Sequence, residues 1–142
     1  MSSTSRIPGV PYAPVVIAMS DKSLSPSWWR VWSNGWCEQG LLLVNDTANF
    51  GFAKTVNLII PFADTNYSIE DCAYYNELAG TYDGHGYVRR VSGTMTTSGF
   101  SYFCGDAYTS YWLTIVGWLS DEAFEAIKQG KTWNGSTWID PS

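Results

Sequence analysis

The side chains that could perform chemistry are few in this sequence, and they lie far apart. His85 is the only histidine, in the loop Asp83-Gly84-His85-Gly86. Catalysis needs a nucleophile or an acid and base pair held together, and the sequence around His85 gives no sign of a serine or cysteine partner. We expect a solvated loop histidine. The alternative is a metal ion held by three copies of His85 on the axis of a trimer.

The three cysteines are also poor candidates for chemistry. Cys37, Cys72 and Cys104 are separated by 35 and 32 residues, which matches neither a metal knuckle nor a redox motif. Three thiols cannot all pair within one chain. We therefore predict buried thiols, since unpaired cysteine is among the most buried residue types.

Carboxylates are more numerous, but their spacing is uninformative. A glycosidase needs two of them at a defined separation, which a sequence does not give. The members of such a pair could be Glu38, Asp46, Asp64, Glu70, Asp71, Glu77 or Asp106. Asp64, Asn66, Glu70 and Asp71 could also supply oxygen ligands to calcium, yet they fit no EF-hand spacing. We predict no catalytic residue, no metal and no other cofactor.

Aromatic side chains are the stronger indication of function. The chain has eight Trp, nine Tyr and six Phe. A sugar ring can stack on an aromatic face while polar neighbours bind its hydroxyls. Tyrosines beside glycine-rich or polar loops are the candidates, and His85 lies among them. The predicted ligand-binding residues are Tyr74, Tyr75, Tyr82, His85, Tyr87, Tyr108 and Tyr111. Trp28, Trp29, Trp32 and Trp36 lie in regular strands, so we expect them to pack within or between subunits.

Charge excludes other classes of partner. Thirteen acidic against eight basic residues give a net charge of -5 over 142 residues, the wrong sign for binding phosphates. Nucleic acids and anionic membrane surfaces are therefore not expected partners. No apolar run approaches the roughly 20 residues of a bilayer span, and the first ten residues do not resemble a signal peptide. We expect a soluble protein that is not exported.

Short apolar segments separated by turn residues predict an all-β fold, either an antiparallel β-sandwich or a barrel-like sheet. The segment 54–60 should stop at Pro61 and pair with 67–75 across the turn Asp64-Thr65-Asn66. The expected strands are residues 15–19, 28–33, 36–44, 54–60, 67–75, 87–96, 100–104 and 108–119.

Three regions are expected along the chain. Residues 1–14, rich in Ser and Pro, predict an arm or linker, and residues 15–118 predict the sandwich domain. Residues 119–142 should add one short helix and a β-hairpin. Ser120 can cap that helix and Gly130 can end it. Its apolar side chains Ala123, Phe124 and Ile127 should lie against the sheet.

Two Asn-Gly pairs predict hairpins with two-residue type I′ turns. With Asn34-Gly35 as the loop, Trp29 would lie opposite Gly40 and cover its bare backbone. Arg30 and Glu38 would then point to opposite faces and could not pair. Both faces of this hairpin are apolar, so both should be covered.

The second pair, Asn134-Gly135, would place Trp133 opposite Ser136 and Lys131 opposite Trp138. Both indoles would then share one face. Because an isolated hairpin is marginally stable, we expect this face to dock on the main domain or on a neighbouring subunit.

Residues 29–40, Trp-Arg-Val-Trp-Ser-Asn-Gly-Trp-Cys-Glu-Gln-Gly, resemble a motif near the C-terminal ends of bacteriophage and prophage tail-fibre proteins. Two further pieces agree in order: residues 56–67, with Pro-Phe-Ala-Asp-Thr-Asn-Tyr at their end, and the aromatic segments 100–104 and 111–118. The resemblance spans residues 28–118. It implies a homotrimeric, β-rich tip domain that touches the host surface. The chain differs from the motif at Leu41, which replaces a common second glycine, and residues 119–142 extend beyond the similar part.

The first functional hypothesis is therefore a non-enzymatic tail-fibre tip or adhesin that binds a bacterial surface glycan during host attachment. The alternative is a structural or assembly module that contacts other fibre or tail proteins, and the third is a glycan-cleaving enzyme. The expected partners are copies of the chain, a bacterial polysaccharide or other host receptor, and other tail proteins. Neither nucleic acid nor membrane insertion is expected. The implied location is the virion, assembled in the host cytoplasm.

Overall fold

The structure of the protein, a computed structural model, describes residues 13–44, 53–75, 88–91, 93–104 and 109–142. Within these ranges the chain is mainly extended, with one 3-10 turn (Lys22–Leu24) and one α-helix, α1 (Asp121–Lys128). The strands are β1 (Val16–Met19), β2 (Trp28–Trp32), β3 (Trp36–Leu43), β4 (Ala53–Asn57), β5 (Ser68–Tyr75), β6 (Val88–Arg90), β7 (Gly99–Cys104), β8 (Thr109–Trp118), β9 (Thr132–Trp133) and β10 (Trp138–Ile139).

These strands form two antiparallel sheets and a separate hairpin. The larger sheet has the order β1-β2-β3-β8-β5, the smaller has the order β4-β7-β6, and β9 pairs with β10. The predicted all-β antiparallel fold with a short helix and a terminal hairpin is confirmed. The strands that the structure describes do not close into a barrel.

One hydrophobic core joins the two sheets. Val56 of β4 and Phe100 of β7 belong to the same buried cluster as Tyr111, Leu113 and Ile115 of β8. The larger sheet therefore has an inner face that packs on the smaller sheet and an opposite, outer face.

The strand pairing differs from the expectation for residues 54–75. The predicted pairing of 54–60 with 67–75 is wrong, because β4 pairs with β7 while β5 pairs with β8 in the other sheet. The turn expected at Asp64 is present, since Asn66 N donates to Asp64 Oδ1 at 2.8 Å. It connects two sheets and not two neighbouring strands.

The strand predicted for 54–60 ends early because a buried side chain replaces its hydrogen-bonding partner. Gln39 is fully buried, and its Oε1 accepts from Ile59 N at 2.8 Å and from Ile60 N at 3.2 Å. Its Nε2 donates to Ile60 O at 2.8 Å. A buried amide is tolerated when its donor and acceptor are satisfied, and here it ties the crossing segment to β3.

The first hairpin is present, but its register is shifted by one residue. Val31 pairs with Cys37 and Arg30 with Glu38, so the connection has three residues instead of two. Gly35 N donates to Trp32 O at 2.9 Å, and Gly35 has a φ of +90°. This is a turn followed by a left-handed glycine, the common three-residue alternative to a type I′ turn.

The C-terminal helix forms as predicted. Ser120 Oγ accepts from Ala123 N at 3.1 Å, and Gly130 follows the last turn with a φ of +77°. Ala123 and Ile127 are buried against the sheets, while Phe124 is only half-buried and lies below the Lys128 ammonium. Among the described residues, no helix combines the length and the apolar character that a bilayer crossing requires.

The terminal hairpin forms with a longer loop than expected. Trp133 pairs directly with Trp138, with 5.3 Å between ring centroids, so the predicted partners Ser136 and Lys131 are wrong. Trp138 packs against the core, and both indoles line a narrow cavity of about 170 Å³ with Trp29. The predicted docking of this hairpin is confirmed, and the main domain is the surface on which it docks.

Candidate functional site

The predicted tyrosine site is not assembled by the described residues. Tyr74 and Tyr75 end β5, where their backbones pair with Ser110 and Thr109, but their side chains lie outside the described part. The predicted residues Tyr82, His85, Tyr87 and Tyr108 also lie outside the described residues.

Tyr111 is placed where a surface ligand cannot reach it. The residue is 0% exposed, because odd-numbered positions of β8, with Leu113 and Ile115, face the core. Its prediction as a ligand-binding residue is therefore wrong. The alternation that buries Tyr111 turns its neighbour Trp112 outward.

The outward positions of β8 carry two exposed indoles. Trp112 is 43% exposed and Trp118 is 54% exposed. Trp118 pairs with Trp36 of β3, and their rings meet edge to face with 4.9 Å between centroids. Such an arrangement is favourable for the ring quadrupoles, so the pair holds a defined orientation at the surface.

The register of the first hairpin adds two more indoles to the same face. Because Arg30 pairs with Glu38, Trp28 and Trp32 lie on the outer face together with these charged residues. We call this surface the tryptophan face. It contains five of the eight tryptophans of the chain, namely Trp28, Trp32, Trp36, Trp112 and Trp118.

Gly40 explains how Trp28 lies flat on the sheet. A Cβ at Gly40 would stand 1.9 Å from Trp28 Nε1, so the indole occupies the space that a side chain would need. The expected coverage of Gly40 by an indole is confirmed, but the covering residue is Trp28 and not Trp29. The one-residue shift in register accounts for the exchange.

A charged group is fixed at the centre of the tryptophan face. Glu38 Oε1 accepts hydrogen bonds from Arg30 Nε and, at 2.8 Å, from Trp32 Nε1. The Arg30 guanidinium also lies 5.4 Å from the centroid of the Trp28 ring. The expectation that Arg30 and Glu38 could not pair is wrong, because the true register puts both on one face.

The electrostatics of this centre keep Glu38 ionised. Partial burial raises the pKa of the Glu38 carboxyl, but the hydrogen bonds from Arg30 and Trp32 and the charge of Arg30 outweigh that effect. The pKa of Glu38 is thus lower than its ordinary value. At neutral pH the face presents a fixed carboxylate beside a guanidinium.

The tryptophan face has an ordered distribution of polar and apolar groups. At one end lie Trp36 and Trp118, and at the other end Leu42 pairs with Trp112. Between these ends lie two rows of paired residues. One consists of Glu38, Val116 and the exposed Ser68, and the next consists of Gly40, Thr114 and the exposed Glu70. The result is a polar band flanked by aromatic rings, which can stack on a ligand at two places and bind its polar groups between them.

The thiols and acidic residues within the described ranges form no reactive centre. Burial, and then the charge of Glu38, raise the pKa of the Cys37 thiol to about 12, so this thiol is inert at neutral pH. The prediction of buried thiols is confirmed for Cys37 and wrong for the exposed Cys72, and the Cys104 side chain lies outside the described part.

The described residues do not form the calcium site that the sequence offered as an alternative. Asp64 Oδ1 is engaged by Asn66 N, and Glu70 and Asp71 are successive strand residues that point to opposite faces. Within the described ranges, no three His, Cys, Asp or Glu side chains come together to hold a metal ion.

Comparison of this chain with protein-family models, with curated proteins and with solved structures finds no match. The functional interpretation therefore depends on the geometry of the tryptophan face. The sequence pointed to tyrosine loops and missed Trp112 and Trp118. The sequence does contain a signal for them: residues 111–118 carry large apolar side chains at both strand phases, which predicts apolar side chains on the outer face as well as on the inner one.

Proposed function

We propose that this protein is a non-enzymatic glycan-binding domain at the tip of a bacteriophage tail fibre. In this proposal the tryptophan face contacts a surface polysaccharide of the bacterial host. The observation that supports it is the gathering of five indoles around a polar band on one outer sheet face. The residues that resemble tail-fibre proteins build much of that face.

The chemistry of the face suits a sugar chain. Indole rings offer flat apolar surface to the C–H side of a pyranose, and Glu38, Arg30 and Glu70 can exchange hydrogen bonds with hydroxyls. The guanidinium and carboxylate at the centre neutralise each other, so the face does not require a charged ligand.

The position at which this chain differs from the tail-fibre motif is compatible with the geometry of the tryptophan face. Leu41, which stands where a second glycine is common, points to the inner face and packs against the core. The substitution therefore changes the interior and leaves the tryptophan face unaltered. Gly40, which the motif shares, is the position that Trp28 must cover.

The test is attachment to cells and to immobilised glycans. Trp112→Ala and Trp118→Ala should each weaken binding about tenfold or more, as for other central aromatic contacts. Phe103→Ala is the matched control, since Phe103 is a partly exposed aromatic on the smaller sheet. Incubation with the bound polysaccharide should leave its chain length unchanged.

Two results would contradict the proposal. Equal losses with Phe103→Ala and the tryptophan variants would remove the face from recognition. Shortened polysaccharide chains would make the protein an enzyme.

A second candidate function is self-association in a virion assembly module. It is favoured by the continuation of the tryptophan face onto β1, where Val16 and Met19 are also exposed. Large exposed apolar patches mark association sites. In this case Trp118→Ala should lower the mass measured by light scattering from that of a trimer, whereas in the first case the mass should stay constant while glycan binding falls.

A further inference from the structure

A cleft away from the tryptophan face has the features of a second binding site. It has a volume of about 660 Å³ and lies between the terminal hairpin, the start of α1 and residues 61–63. This size falls in the usual range for small-ligand sites, roughly 300 to 1,000 Å³. We call it the hairpin cleft.

The lining of the hairpin cleft combines aromatic, hydroxyl and charged groups. Trp133 and Trp138 contribute indoles, Ser98 and Thr137 contribute hydroxyls, and Glu122 contributes an exposed carboxylate. The Lys131 ammonium is also present. Apolar stacking surface beside several short polar side chains is the composition that binds a sugar ring.

One donor at the cleft lacks an acceptor. In the part of the chain that the structure describes, Trp133 Nε1 is buried and has no hydrogen-bond partner. A buried N–H without a partner costs free energy, and most buried donors in proteins are paired. Trp133 also lines the cavity of about 170 Å³, and an oxygen atom of a ligand in the hairpin cleft would remove this cost once a rotation of the indole exposes Nε1 to it.

The charges select against anionic ligands. Lys131 Nζ lies 3.4 Å from Asp140 Oδ1, so its charge is already shared, and Glu122 adds a negative charge to the cleft wall. A phosphate or sulfate group would meet this carboxylate without a dedicated cation. A purely apolar ligand would leave the hydroxyls of Ser98 and Thr137 without water. A neutral, hydroxyl-rich ligand fits both constraints.

We propose that the hairpin cleft binds one neutral monosaccharide unit, stacked on the Trp133 and Trp138 wall and hydrogen-bonded by Glu122. This inference rests on the proposed function in taking a glycan as the natural ligand. It adds a second contact, built largely by residues 119–142, to the one on the tryptophan face. A glycan that is bound at one site is present at the other site at a raised effective concentration. Its overall binding is therefore tighter without new contacts at either site.

The experiment is a titration of the full chain, labelled with ¹⁵N, with glucose, galactose and N-acetylglucosamine up to tens of millimolar. At least one sugar should give saturable shifts of the Trp133 and Trp138 indole N–H signals, which Trp133→Phe and Trp138→Phe assign. Trp133→Phe keeps an aromatic ring but removes the N–H, so it should weaken binding severalfold. Absence of saturable shifts with all three sugars would overturn the proposal.

A matched pair of variants tests the role of the cleft carboxylate. Glu122→Gln and Asp121→Asn remove the same charge from the first turn of α1, but Asp121 lies beside Gly35 on another side of the helix. Glu122→Gln should weaken the sugar about fivefold, while Asp121→Asn should leave its affinity unchanged. Equal effects would assign the loss to the helix end and overturn the proposal.

The proposals for the two sites can be contradicted separately. Trp112→Ala and Trp118→Ala should leave the sugar titration of the hairpin cleft unchanged. If they also leave attachment to cells unchanged while the cleft still binds sugar, the function proposed for the tryptophan face is wrong and the cleft remains. If they abolish attachment while Trp133 shows no sugar-dependent shift, the cleft proposal is wrong and the tryptophan face remains.

Discussion

Each of the two hairpins of this protein has an Asn-Gly pair in its loop, but the two loops differ in length. In the first, Asn34 Oδ1 accepts from Trp36 N at 3.1 Å and the connection has three residues. In the second, Asn134 Oδ1 accepts from Ser136 N at 2.9 Å and Thr137 N at 2.8 Å, and the connection has four residues. In both, the asparagine side chain acts as an acceptor and the glycine takes a positive φ.

The difference between them lies in what surrounds the turn. The first hairpin is part of a five-stranded sheet, in which β3 pairs with β8 along its whole length and fixes the register. The second has strands of two residues and is held by the contact of its indoles with the main domain. Asn-Gly therefore locates a hairpin, while the neighbours of its strands set the register.

The largest expected effect tests the buried side of the first hairpin. Gln39→Leu removes the partner of Ile59 N, Ile60 N and Ile60 O while keeping much of the side-chain volume. We expect the free energy of unfolding to fall by about 3 to 5 kcal/mol, measured by chemical denaturation. A loss under about 1 kcal/mol would mean that Gln39 does not face the core.

The next effect tests which tryptophan covers Gly40. Gly40→Ala would place a Cβ against the Trp28 indole, and we expect a loss of about 2 kcal/mol. In a double-mutant cycle, Trp28→Ala should remove most of that loss, whereas Trp29→Ala should not. If Trp29→Ala removed the loss and Trp28→Ala did not, the two-residue turn, in which Trp29 lies opposite Gly40, would be correct.

A smaller effect separates the two asparagines. Asn134 Oδ1 accepts from two backbone N–H groups and from Ser136 Oγ, while Asn34 Oδ1 accepts from Trp36 N. Asn134→Ala should therefore lower the melting temperature more than Asn34→Ala, with a cost of about 1 kcal/mol against about 0.5 kcal/mol. Equal melting temperatures would show that strand neighbours fix both hairpins.

The smallest effect depends on pH. The pKa of Glu38 is lowered in the folded protein, so its contribution to stability is present above the ordinary value of 4.5 and is lost as pH falls through the folded pKa. Glu38→Gln should cost about 1 kcal/mol at pH 7, and this cost should shrink below pH 4.5. Denaturation of both proteins across this range provides the measurement, and a difference that does not change with pH would contradict the ion pair with Arg30.

Local signals in the sequence predicted most of the elements, although β6 (Val88–Arg90) is much shorter than the strand predicted for 87–96. β1 begins one residue after its predicted start, and α1 lies between the predicted cap Ser120 and the predicted stop Gly130. These features depend on side chains that act within one turn. The partner of β4 was not predictable in this way, because the choice between β5 and β7 depends on which sheet each strand joins.

The candidate site was predictable only in part. The sequence indicated that the first hairpin is apolar on both faces, and aromatic side chains were the correct class of candidate. It placed the site on tyrosines, however, because a strand residue is exposed or buried according to its phase in a sheet whose register was not yet known. Tyr111 and Trp112 are adjacent, and one is buried while the other is exposed.

The β5 end of the larger sheet has a consequence for assembly. β5 is the last of the described strands in that sheet, and it carries the exposed carboxylates Glu70 and Asp71. A second copy adding along this edge would bring like charges to within about 5 Å of each other on paired strands, which is unfavourable. The β5 edge thus disfavours the open-ended strand addition that produces aggregates, whereas β1, at the other end of the sheet, carries no charged residue.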